Sequence, residues 1–230
     1  MSELLHFAEH RLQEAALVVM AIVYASRLYW LTRFPAGKER QAPTGLGDTN
    51  SRKGFIYSWG NVAMPWAMES SRMKPFLYGQ FVLFHLGVVA AIALSFVIPY
   101  APGLLESPLL VTVFRVTILA AFLVGVARII RRVSDVYMRK ISTPDDYFSL
   151  LLLTVWFFFA FLSVPNKSDA GEWHLLTYFV LTAFFLIYVP FSKISHYLYY
   201  PFTRYYLGKS LGRRGVFPLR RMRHPEAERS

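Results

Sequence analysis

Apolar residues in this chain come in long unbroken runs rather than at the spacing of a single helix face. The runs lie at about residues 14–31, 76–101, 109–130, 147–164 and 173–204. EAALVVMAIVYASRLYWL (from Glu14) and YFSLLLLTVWFFFAFLSV (from Tyr147) are typical. Each run is close to or above the ~20 apolar residues that carry a helix across a bilayer. Each is also apolar around its full circumference, unlike the one-sided stripe of a soluble helix. The pattern predicts an all-α integral membrane protein with five transmembrane helices, folded as a single domain over residues 1–230.

Composition agrees with this: 55% of the 230 residues are hydrophobic, 17% are aromatic and only 17% are charged, yet the net charge is +11. The basic residues sit in the polar connectors. Seven lie in the first connector, at about residues 33–74, and five in or beside the third (Arg128, Arg131, Arg132, Arg139, Lys140). Nine more follow from Lys193 into the tail at 205–230. Arg11 and Lys167 fall on the other side, and Arg27 and Arg115 fall within spans near their ends. Basic loops stay in the cytoplasm, so the N-terminus is expected outside and the C-terminus inside a bacterial or archaeal cytoplasmic membrane. Tyr29, Trp30 and the Tyr197–Tyr206 cluster suit the headgroup level on the basic side. The first ten residues hold Glu3 and Glu9 but no Lys or Arg, unlike a signal peptide. The long first connector, with GLGDTN at Gly45–Asn50 and WGNVAMPWAMESS at Trp59–Ser71, reads as an ordered loop on the membrane or beneath a partner.

With no cysteine, the chain has no disulfides, no covalently attached haem, no Cys-ligated iron–sulfur cluster and no thiol catalysis of its own. The chemistry falls to the histidines, since an ionisable group inside a bilayer is a functional candidate by default. His85 lies in the second run and His196 in the inner part of the fifth. With midpoints near residues 88 and 191, a continuous rise of about 1.5 Å per residue puts the two within about 3 Å in depth. Two neutral imidazoles at one depth on two helices suit the axial positions of a b-type haem. Gly79, Gly87 and Ser192 are small neighbours that would let a porphyrin come close. Arg131, Arg132 and Lys193, with Arg128, would offset haem propionates or anchor helix ends. A packing role and a transport or proton-relay role for the two histidines stay open beside haem ligation. His10 and His174, near the outer face, fit a second haem, a quinone carbonyl or simply a solvated interface. His6 and His10 are four residues apart, a spacing that also permits adventitious metal binding, and His224 lies in the basic tail.

PFSKISHYLYYPFTRYYLG (Pro190–Gly208) resembles the end of the last helix in the respiratory nitrate reductase gamma subunit family. That family includes the membrane cytochrome b partners of heterodisulfide-reductase-like and sulfite-reduction-associated complexes. LFHLGVVAAIA (Leu83–Ala93) is similar to its second helix and RRVSDVYMRKISTPDD (Arg131–Asp146) to its basic third connector. The resemblance implies that His85 and His196 are the iron ligands of a haem b on the cytoplasmic side. It also implies a second, outer pair of histidines, but Ser95 and Tyr178 stand at those positions. One haem is therefore expected.

The function this predicts is a membrane-anchoring electron-transfer subunit, linking the quinone pool to a cytoplasm-side iron–sulfur or flavin/iron–sulfur partner. It would be part of a quinone-linked oxidoreductase, with no complete catalytic site and no nucleic-acid partner. The alternatives are a non-haem transporter or assembly anchor, and a cytochrome b anchor of a hydrogenase or formate dehydrogenase.

Overall fold

Helix starts in the computed structural model fall where the sequence supplies caps. The structure describes residues 2–34, 50–61, 72–168 and 171–218, with residues 37, 40, 42 and 64 between them. All regular structure among these residues is helical. The helices are α1 (Glu3–Arg33), α2 (Ser51–Gly60), α3 (Pro75–Tyr100), α4 (Pro108–Ser134), α5 (Val136–Ile141), α6 (Pro144–Ser163), α7 (Trp173–Tyr188) and α8 (His196–Arg213). Pro108 and Pro144 occupy first-turn positions, where a missing N–H costs nothing. The Asp135 side chain accepts from the Tyr137 and Met138 amides at the start of α5. At α6, Asp146 Oδ2 accepts from the Thr143 amide at 2.7 Å and from its hydroxyl at 2.8 Å.

Five helices are long and apolar enough to cross a membrane: Glu3–Arg33, Pro75–Tyr100, Pro108–Ser134, Pro144–Ser163 and Trp173–Phe191. The first four contain the expected runs almost entirely. The fifth does not continue to residue 204. Helix α7 ends at Tyr188, a 3₁₀ turn covers Val189–Phe191, Ser192 is extended, and a second 3₁₀ turn covers Lys193–Ser195 before α8 opens. Pro190 cannot donate to the helix ladder. Ser192 then takes over the freed backbone: its hydroxyl donates to Val189 O at 3.1 Å and accepts from the Ile194 amide at 3.2 Å.

The chain divides into two compact units, Met1–Trp30 with Gly79–Ser195, and Leu31–Tyr78 with His196–Ser230. Unit one is the apolar bundle. Gly87 lets α3 approach α4, because a Cβ there would overlap the Cβ of Ala121, and Gly125 of α4 sits against Thr154 of α6. Phe84 meets Phe157 edge to face at 5.2 Å, and Tyr178, Phe179, Leu94 and Ile118 are fully buried. Several polar groups inside this core are paired across helices. Trp156 Nε1 donates to Thr182 Oγ1 at 2.9 Å, and the Tyr178 hydroxyl donates to Ala91 O at 2.5 Å. The Gln13 amide donates to Ser95 O at 3.1 Å.

Unit two is built differently. Helix α2 lies on α8 with backbone against backbone, since a Cβ on Gly54 would overlap Gly208 O and Gly212 Cα. Arg204 clamps the pair, donating from Nε and Nη2 to Ser58 O at 3.0 and 2.9 Å. Most of the Val62–Ser71 stretch, the Gly45–Thr49 turn and the tail from residue 219, His224 included, lie outside the described residues.

Candidate functional site

His85 is on α3 in unit one, half-buried, with its ring 4.1 Å from that of Phe81 and 6.3 Å from that of Phe84. Its Nδ1 lies 2.7 Å from Phe81 O, one helical turn back. A carbonyl can only accept, so this contact places the proton on Nδ1 and leaves a lone pair on Nε2. A backbone acceptor on the distal nitrogen is the usual support for a metal-ligating imidazole. Nothing lies within 4 Å of a Cβ built on Gly79, so that side of the helix is open. Gly87 behaves otherwise than expected: it is filled by Ala121 and serves helix packing, leaving no room there for a porphyrin.

His196 belongs to unit two, where it is the first residue of α8 and exposed, 6.5 Å ring to ring from Tyr197. The break at Ser192 changes how its position is reached. A rise of about 1.5 Å per residue applies only along an unbroken helix, so counting residues from the fifth-span midpoint does not give the height of His196. Ser192, expected as a small neighbour of a porphyrin, is the residue that caps the break.

The basic residues at this end of unit one divide into two sets. Lys193 Nζ donates to Thr143 Oγ1 at 2.7 Å and pairs with Asp146 at 3.1 Å. Arg132 donates to Ser142 Oγ at 2.6 Å, lies 3.8 Å from Asp146 and covers the Tyr147 ring. These two side chains lock α4 and α6 to the turn after α7. Arg128 instead lies over the Phe84 ring at 5.1 Å, on the residue next to His85, and Arg131 is exposed. The cation that the ring contacts tie to the neighbourhood of His85 is therefore Arg128. Asp146, which organises the other two, drew no notice in the sequence, although the T-P-D-D string is a recognisable helix start.

The opposite end of unit one holds His10 and His174, in different surroundings. His10 packs on His6 at 4.6 Å and on Tyr100 at 5.4 Å, inside a π-helical turn over Ala8–Leu12. His174 meets Trp173 edge to face at 5.7 Å and lines a cleft with Arg115 and Lys167. Ser95 and Tyr178, which stand where outer haem ligands would be expected, are 2% and 0% exposed and lie within the packed core. Just outside unit one's spans, the Ser2 amide donates to both Glu172 oxygens at 3.0 and 2.9 Å. These bonds from Ser2 hold the Glu172 carboxyl below its ordinary value. No group of three or more His, Asp or Glu side chains with metal-binding geometry occurs among the described residues.

A protein of Nitratidesulfovibrio vulgaris, described simply as a protein, is 30% identical over 170 residues, which cover 68% of this chain and 70% of that one. No protein-family model matches the chain, and no solved structure matches it.

Proposed function

We propose that the chain, which belongs to one family with the Nitratidesulfovibrio vulgaris protein, is a b-haem electron-transfer subunit of a multi-pass membrane complex. It would exchange electrons between the quinone pool and an iron–sulfur partner on the cytoplasmic side. The observation that carries this reading is the His85 imidazole, whose Nδ1 proton is engaged by Phe81 O and whose Nε2 is left as a ligand. His196 is its expected counterpart, on the strength of the PFSKISH motif.

When bound, haem b supplies a one-electron carrier within the bilayer. The residues of the chain do the rest. Phe81 O fixes the His85 tautomer, while Phe81 and Phe84 flank the ring with apolar surface. Arg128 and Arg131 bring positive charge to the same end, where they offset carboxylates. The filled space around Ser95 and Tyr178 supports one haem rather than two. With five helices long enough to cross, the chain ends lie on opposite sides in this reading and, by the basic connectors, the C-terminus is on the cytoplasmic side. The topology test is a reporter fused after Ser230, expected to be active only as a cytoplasmic fusion.

The engagement of Arg132 and Lys193 by Asp146 favours a second reading, a non-haem membrane protein whose basic end is purely structural. A reduced-minus-oxidised spectrum of the purified full-length protein separates the two. Haem b at one per chain, with the low-spin signal lost in His85→Ala and in His196→Ala but kept in His174→Ala, is expected. A colourless protein from haem-replete cells overturns the haem reading.

A further inference from the structure

Where α4 and α7 begin, unit one opens into a cleft of about 1010 Å³. Three elements each bring one cationic or protonatable side chain to it: Arg115 from α4, Lys167 from the α6–α7 connector and His174 from α7. Among the described residues, Glu106 is the one carboxylate in its wall. Arg115 is seven residues into α4, about 10 Å along the helix from its start at about 1.5 Å per residue. A guanidinium at that depth is costly unless it meets water or an anion. Its 5.7 Å contact with the Phe161 ring holds it on the α6 side. Neither Ser107 nor Glu172 caps the helix that follows it with its side chain, so the first amides of α4 and α7 add partial positive charge. Val111, Leu162 and Pro165 supply apolar wall beside these charges.

We propose that this cleft binds a phosphate anion, presented by the headgroup of an acidic phospholipid or free in solution. The combination of cations with apolar wall suits a charged head joined to a hydrocarbon tail. The site does not depend on the haem reading, since it lies at the other end of the bundle from His85.

The test uses the full-length protein in nanodiscs of phosphatidylcholine, with increasing phosphatidylglycerol, and follows amide hydrogen exchange around Leu105 and His174. Protection of both segments by phosphatidylglycerol is expected, with about tenfold more of it needed in Arg115→Gln/Lys167→Gln, as for the loss of charge-assisted bonds. A parallel series in pure phosphatidylcholine adds inorganic phosphate. Protection by phosphatidylglycerol alone identifies the lipid headgroup, and the same Arg115-dependent protection by phosphate identifies the free anion. Glu106→Gln removes the competing carboxylate and is expected to lower the required phosphatidylglycerol severalfold. Absence of protection in both series, or protection undiminished in the double variant, overturns the proposal. If the double variant does not fold, an unchanged requirement in Glu106→Gln overturns it instead.

Discussion

The two units are helical for different reasons. In unit one, side chains separate the helices, and the contacts are large aromatic and aliphatic groups with hydrogen bonds threaded between them. In unit two, Gly54, Gly208 and Gly212 bring the α2 and α8 backbones together, with the Arg204 clamp and the Phe55–Tyr205 ring contact beside them. The first design spreads its stability over many contacts, each individually replaceable. The second concentrates it at three positions where no other residue fits. Close backbone approach through residues four apart is a known way to join helices where little apolar surface is on offer. Helix α8 fits that condition, with five tyrosines and four basic residues among its eighteen.

The largest expected effect tests the seam. Gly208→Leu places a side chain where a Cβ alone would come within 2.6 Å of Phe55 Cα and Ser58 Cβ. The pair should separate, with hydrogen exchange over Ser51–Gly60 rising to that of an isolated short helix, while α3–α7 stay protected. Unchanged exchange would show that the seam tolerates bulk.

A single truncation in unit one should be costly but survivable. Tyr178→Ala removes a fully buried ring and its bond to Ala91 O, for a loss of about 3–5 kcal/mol by large-to-small precedent. Chemical denaturation in mixed micelles measures it. A loss near that of an exposed residue would mean the core closes over the space.

Gln13→Leu sharpens the contrast from the other direction. Gln13 Oε1 is buried without a partner, and the amide donates only to Ser95, whose carbonyl belongs to the α3 ladder. Replacing both polar atoms by an apolar group of similar shape should change stability by less than about 1 kcal/mol, and in the stabilising direction. A marked loss in the same denaturation assay would show that the carboxamide has a partner that matters.

The smallest effect concerns pH. Bonds from Ser2 lower the Glu172 pKa, so the tie of the α1 start to the α7 start is complete above the ordinary carboxylate range. It is lost as pH falls through the lowered value. The group is exposed, so the effect should be confined to faster exchange of the first turn of α1 at acid pH. Glu172→Gln should remove that pH dependence.

Much of this architecture is legible from the chain alone. Runs of eighteen or more apolar residues have no other stable environment than a bilayer or a wide core, so four of the five spans emerge from composition within a few residues. Even the seam had a signal, since Gly208-Lys-Ser-Leu-Gly212 is a small-xxx-small spacing. That signal is weak, because the run lies in a polar, basic region where such a spacing is common by chance. The break in the fifth span was visible as Pro190 and Ser192, but proline inside a membrane helix is often absorbed as a kink.

What the sequence determined by itself is therefore the number of apolar runs long enough to span, the gathering of basic residues in the connectors and tail, and the identity of the scarce polar residues within apolar runs. Those are sums over local composition. Which polar residues meet was decided by tertiary structure. Asp146 draws in Arg132 and Lys193 from 14 and 47 residues away, while Arg128 lies over Phe84, the neighbour of His85. Arg115, Lys167 and His174, unrelated in sequence, converge on one cleft. A long cationic side chain can reach several partners, and only the packing of the helices that carry it selects among them.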